Sequence, residues 1–152
     1  MEDYAEAKKN AEEIDRKFGI KTDSIEKEIA NRLALESRAD AEIWNHLSPQ
    51  IFQTPYSELE AIIEAADPDR TLGSWADLGA AYGRLGIVLS EKRPEAKFVG
   101  IELAPERVRE GKRIYAEIGL DPESLVCADL ETAELPFVDA YFIYDFGKRE
   151  SI

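Results

Sequence analysis

Small residues at alternate positions, Gly79, Ala81 and Gly83, follow an apolar run, Trp75-Ala76-Asp77-Leu78, and a second apolar run, Phe98-Val99-Gly100-Ile101, closes on Glu102. Glycines at the end of a strand let the backbone turn tightly and approach a ligand. An acid at the tip of the next strand can accept hydrogen bonds from a ribose. Turn and acid together have the layout of a nucleoside-binding β-α-β unit, and the expected ligand contains an adenosine-like moiety. The other reactive residue types are sparse. Cys127 and His46 are each alone of their kind, which excludes an internal disulfide and argues against a zinc site.

Helices and strands must hold these residues in place, and their signals alternate along the chain. Tyr4, Ala7, Ala11, Ile14 and Phe18 recur at three- and four-residue steps, predicting an amphipathic helix that Gly19 stops. Asp23 and Glu26 read as a capping box for a second helix with Ile25, Ile29, Leu33 and Leu35 on its apolar stripe. A short third helix is expected over 39–47. Thr54 as N-cap with Pro55 at the first helical position starts another, which Asp67-Pro68 ends. From there the order is strand 74–78, helix 83–92, strand 97–102, helix 104–118, strand 125–129 and strand 140–145. Strands that read as continuous apolar runs between helices predict a parallel sheet covered on both faces. Right-handed crossovers place the strands in the order 3-2-1-4.

With 152 residues, 44% of them hydrophobic, the chain suffices for one well-cored domain. We divide it into a helical N-terminal extension, 1–52, and a ligand-binding α/β domain, 53–152. A net charge of −13 argues against a general electrostatic grip on nucleic acid. Arg107, Arg109, Lys112 and Arg113 form a basic stretch, but Glu106, Glu110 and Glu117 interrupt it, so it reads as a solvated helix face. The single cysteine fits a reducing compartment, and the N-terminal residues lack the pattern of a signal peptide. No run reaches the length of a membrane span, and the expected location is cytoplasmic.

Asp77-Leu78-Gly79-Ala80-Ala81-Tyr82-Gly83 resembles the first motif of class I S-adenosylmethionine-dependent methyltransferases, with Ala81 in place of the middle glycine. The resemblance implies a Rossmann-like fold and S-adenosyl-L-methionine as cofactor. It implies that Gly79, Ala81 and Gly83 line the cofactor's amino-acid moiety and that Asp77 orients the loop or bonds the ammonium through water. Glu102 would accept from both ribose hydroxyls and Leu103 would pack on the adenine. Cys127-Ala128-Asp129-Leu130 resembles the third-strand motif, in which an acid, here Asp129, accepts from the adenine's exocyclic amine, with Leu130 beside it. Gln53-Thr54-Pro55-Tyr56 resembles a segment that folds over the methionine end in some members, which gives Thr54 and Tyr56 a cofactor-binding role.

Tyr144-Asp145-Phe146-Gly147 falls where the family's fourth motif sits, beside the reactive methyl. Asp145 would accept a hydrogen bond from an amine acceptor or help shed its proton, and Tyr144 is the better placed of two strand tyrosines; Tyr141 reads as a core aromatic. The acceptor is a protein or small-molecule nucleophile, with protein lysine among the candidates. A complete domain of this family has about seven strands, and the resemblance covers 53–147, so the later strands are expected to be absent. The fourth strand, Ala140-Tyr141-Phe142-Ile143-Tyr144, would then be an exposed apolar edge inclined to self-association. Two other readings share the glycine turn. One is a truncated cofactor-binding or assembly module without turnover. The other is an NAD-dependent dehydrogenase, against which stand Asp77 at the turn, Ala81 within it and the Asp129 match.

Overall fold

A computed structural model describes residues 3–36 and 53–143. Helix α1 spans Tyr4–Phe18 and stops at Gly19, whose φ of 74° closes the helix in the left-handed conformation. Its buried positions include Ala7 and Ala11, as the spacing predicts. Helix α2 spans Thr22–Leu35 and buries Ile25 and Ile29. The expected capping box is absent. The helix begins one residue before Asp23, with Lys21 as N-cap and no side-chain cap, and Glu26 is drawn into tertiary bonds instead. Leu35, placed on the apolar stripe by spacing, is 87% exposed.

Helix α3 spans Tyr56–Ala66, with Pro55 rather than Thr54 at the N-cap position and no side-chain cap. The start signal is therefore displaced by one residue, and Thr54 is left free of the helix. Asp67 ends α3 as expected. Its carboxylate accepts the N–H groups of Thr71 (2.7 Å) and Leu72 (3.2 Å), which turns the chain toward the sheet. The expected helix over 39–47 lies outside the described residues.

Four parallel strands follow, β1 Ser74–Leu78, β2 Lys97–Glu102, β3 Leu125–Cys127 and β4 Ala140–Ile143, in the order β3-β2-β1-β4. Helix α4, Arg84–Lys92, joins β1 to β2, and helix α5, Pro105–Ile118, leads from β2 toward β3. This is the Rossmann-like α/β topology anticipated from the alternating pattern. Strand β3 stops at Cys127, two residues short of expectation, because Asp129 turns the chain: its Oδ1 accepts from Glu131 N–H at 2.9 Å and its carbonyl from Ala133 N–H at 2.8 Å.

The register assigns the two sheet faces. Trp75, Asp77, Phe98, Gly100, Glu102 and Phe142 share one face. Trp75, Phe98 and Phe142 pack there with Ile63, Leu85, Leu89, Ile114 and Tyr115 from helices α3 to α5. Ala76, Leu78 and Ile101 point the other way, and among the described residues they pack only against sheet and loop residues: Val99, Ala128, Leu130 and Val138. Ala76, Leu78 and Ile101 are 0–4% exposed, so both faces of the sheet are covered, as the continuous apolar strands predict. Residues 128–139, between β3 and β4, hold no helix. Tyr141, read as a core aromatic, lies on this second face at the outer strand and is 45% exposed.

The basic stretch of α5 is a solvated face only in part: Arg109 is 60% exposed, while Arg107 is mostly buried. It packs against α2, where Glu26 holds Arg107 at 2.8 Å and Glu28 holds Arg109 at 2.9 Å. Arg32 of α2 pairs with the buried Glu106, and Glu110 accepts the backbone N–H of Lys21 at 3.2 Å. Each basic residue finds a carboxylate on another turn or element, which is why the charges alternate in sequence. No helix among the described residues is long and apolar enough to cross a membrane.

Candidate functional site

The turn after β1 is built from backbone conformations that side chains resist. Gly79, Ala81 and Gly83 have φ of 101°, 49° and 87°. Ala81 adopts the left-handed region despite its Cβ, at a cost of about 1 kcal/mol relative to glycine. It is held there by Glu102, whose Oε2 accepts the Ala81 N–H at 2.9 Å. The N–H groups of Gly79 and Ala80 both reach the Ile101 carbonyl at 2.9 Å, so the turn hangs on the end of β2. At Gly83 an added Cβ would lie 2.6 Å from the Tyr115 hydroxyl, which itself donates to the Gly83 carbonyl at 2.6 Å.

Asp77 and Glu102 point to the same face from adjacent strands. Asp77 is 5% exposed and makes no hydrogen bond to a described residue. Burial, aided by the nearby charge of Glu102, pushes its carboxyl up to about 7. Glu102 is better provided for: Oε1 accepts from Ala104 N–H at 2.9 Å and from Arg107 at 3.4 Å, and Oε2 accepts from Ala81.

An open cleft lies against the turn. Thr54, Asp77, Gly79 and Ala81 line it, together with Arg84 and Phe142. Arg84 and Phe142 were not singled out by sequence reasoning, although Arg84 directly follows the last residue of the glycine pattern. The Arg84 guanidinium is almost wholly buried. It pairs with Asp15 of α1 through Nη2 at 2.6 Å and Nε at 3.3 Å, and donates to the Thr54 carbonyl at 3.1 Å. Tyr56 stands behind it, with Arg84 4.9 Å from its ring centroid and its hydroxyl donating to Asp15 at 2.8 Å. Desolvation, reinforced by the Asp15 charge, raises the Tyr56 hydroxyl's pKa well above the usual range, so it remains a donor.

The remaining candidates are spread around this centre. Gly83 supports the turn from behind, and Glu102 closes it from the β2 side. Leu103 is 62% exposed beyond the strand tip. Asp129 and Leu130 sit in the turn after β3, where Asp129 is exposed and engaged with the backbone. Tyr144 and Asp145 lie outside the described residues.

No family model and no curated protein matches the chain. Among solved structures, one match is the crystal structure of an S-adenosylmethionine-dependent methyltransferase from Clostridium acetobutylicum ATCC 824, with 20% identity and a TM-score of 0.49. The match covers 74% of this chain and 42% of that one, so the chain spans less than half the length of that enzyme.

Proposed function

We propose that the cleft binds S-adenosyl-L-methionine and that the chain serves methyl transfer to a nucleophile. The observation that carries this reading is Asp77, a buried carboxyl lining the cleft without a hydrogen-bond partner among the described residues. Burying such a group unpaired is costly, and a ligand ammonium would offset that cost. Arg84 lines the same cleft with its guanidinium held by Asp15 and the Thr54 carbonyl, so an acid and a basic residue share the lining. That pairing complements the ammonium and carboxylate of an amino acid. Glu102, one strand away at the other end of the turn, suits a ribose diol. An amino acid and a nucleoside joined in one molecule describes this cofactor.

The residues present fit it on these grounds. Asp77 would bind the ammonium, Arg84 and the backbone at the start of α4 the carboxylate, and Glu102 the ribose. When bound, the cofactor would supply an electrophilic methyl on its sulfonium for direct transfer to the acceptor's lone pair, with the thioether as leaving group. The chain's share is positioning and exclusion of water, which Phe142 and the turn backbone serve at the cleft wall. Asp145 and Tyr144 would act on the acceptor's proton. An NAD-binding role is disfavoured by Asp77, because a pyrophosphate laid on this turn would meet a buried carboxyl. Binding without turnover is the other outcome the experiment must separate.

Calorimetric titration with S-adenosylmethionine, S-adenosylhomocysteine and NAD, repeated on Glu102→Ala, tests the reading. The two sulfur ligands should bind and the variant should lose at least about tenfold in affinity, the worth of a single hydrogen bond to a charged group. Binding of NAD alone would overturn it. Transfer of a tritiated methyl to a cell extract then distinguishes an enzyme from a binding module.

A further inference from the structure

Glu26 of α2 lies 56 residues before Tyr82 and 81 before Arg107, yet it bonds both. Its Oε1 accepts the Tyr82 hydroxyl at 2.8 Å and Arg107 Nε at 2.8 Å, and its Oε2 accepts Arg107 Nη2 at 2.9 Å. Tyr82 belongs to the turn that lines the cleft. Arg107 stands in the first turns of α5 and reaches Glu102 through Nη1 at the longer distance of 3.4 Å. Among the described residues, Glu26 and Glu102 are therefore the two carboxylates that share this guanidinium, and Glu26 holds it more tightly.

We propose that Glu26 is a positioning residue for the ribose end of the site: by gripping Arg107 with both oxygens it keeps the guanidinium off the outer edge of Glu102 and leaves that edge for a vicinal diol. The inference rests on the nucleoside reading of the cleft and adds an element of the N-terminal helices to it. The argument is one of acceptor capacity. A carboxylate has about four lone-pair sites, and Glu102 commits one to Ala81 N–H, one to Ala104 N–H and part of a third to Arg107. A guanidinium released from Glu26 has one carboxylate left in reach. It would take the planar two-bond arrangement that arginine favours and fill the sites a diol needs. Glu26 thus protects the acceptor by occupying its competitor.

The test compares adenosine with 2′,3′-dideoxyadenosine, which lacks both hydroxyls, by calorimetry on the full chain. The wild-type chain should prefer adenosine by about tenfold, and Glu26→Gln, which keeps an oxygen for Tyr82, should reduce that preference to about threefold or less. Adding Arg107→Met to Glu26→Gln should restore it, since the competing guanidinium is gone. A merely structural Glu26 would weaken both ligands together and leave the double variant no better than the single one. An undiminished preference in Glu26→Gln, or no recovery in the double variant, overturns the inference alone. Failure of the wild-type chain to bind adenosine overturns the nucleoside reading and this inference with it. Circular dichroism of each variant separates loss of fold from loss of preference.

Discussion

The Ala81 N–H and Glu102 Oε2, 2.9 Å apart, tie the turn after β1 to the tip of β2. This bond offsets the left-handed backbone of Ala81, so the two strand ends form one object. Ala81→Gly relieves the backbone cost while keeping the N–H donor. We expect the variant to be about 1 kcal/mol more stable, raising the melting temperature by roughly 2–4 °C in calorimetry. A lower melting temperature would mean that the Ala81 methyl packs favourably where the φ of 49° predicts only strain.

Under the proposed reading, Asp77 should make ligand binding sensitive to pH. With its carboxyl raised to about 7, the folded free protein keeps this proton through the range in which an unfolded aspartate has lost it. The folded state therefore binds more protons between about pH 4 and 7, and this group's contribution to stability falls as pH rises through that window, levelling above it. Asp77→Asn should remove that slope and stabilise the unliganded protein at pH 8, by roughly 2–4 kcal/mol in urea unfolding. A ligand ammonium favours the ionised carboxyl, so binding expels the proton. Affinity for S-adenosylmethionine should rise with pH from 5 to 7 by up to about tenfold per unit. For 5′-methylthioadenosine, which lacks the amino acid, the profile should be flat; equal profiles for both ligands would remove Asp77 from the ammonium site.

The buried pair Asp15–Arg84 joins α1 to the cleft wall, with side chains only 4% and 5% exposed. Asp15→Asn leaves the Arg84 guanidinium desolvated without its counter-charge, and a loss of about 3–5 kcal/mol in denaturant unfolding is expected. Replacing both partners, Asp15→Leu with Arg84→Met, should recover most of that stability but not ligand affinity, because Arg84 also faces the cleft. Full affinity in the double variant would show that the carboxylate of the ligand is held elsewhere.

At Gly100 an added Cβ would meet the Ala80 Cβ at 2.8 Å and Leu125 at 3.0 Å. Gly100→Ala should cost about 1–3 kcal/mol and push the turn outward. Ligand affinity should fall together with stability, whereas a change in stability alone would mean that the strand, not the turn, yields.

The elements that position the cleft were legible because their signals are local. Strand β1 and strand β2 match their expected bounds, and the order of the sheet follows from handedness. Signals that compete with tertiary partners misled. Asp23-x-x-Glu26 has the spacing of a capping box, but Glu26 is worth more to Arg107 and Tyr82 than to a helix end. Glu106 and Arg107 of α5 look solvated until α2, some eighty residues earlier, is laid against them. Arg84 went unnoticed for a related reason: its importance depends on Asp15 and Tyr56, which no motif connects to it.

Tyr115 gives the turn its height. Its hydroxyl occupies the space a Cβ would claim at both Gly83 and Gly86, at 2.6 Å and 2.1 Å, while hydrogen bonding the Gly83 carbonyl. The aromatic ring is a spacer whose length the two glycines are cut to match. A side chain at either glycine would displace the ring, and a shorter residue at Tyr115 would leave the Gly83 carbonyl without its donor, so the spacing between the turn and α5 holds only while all three residues stay together.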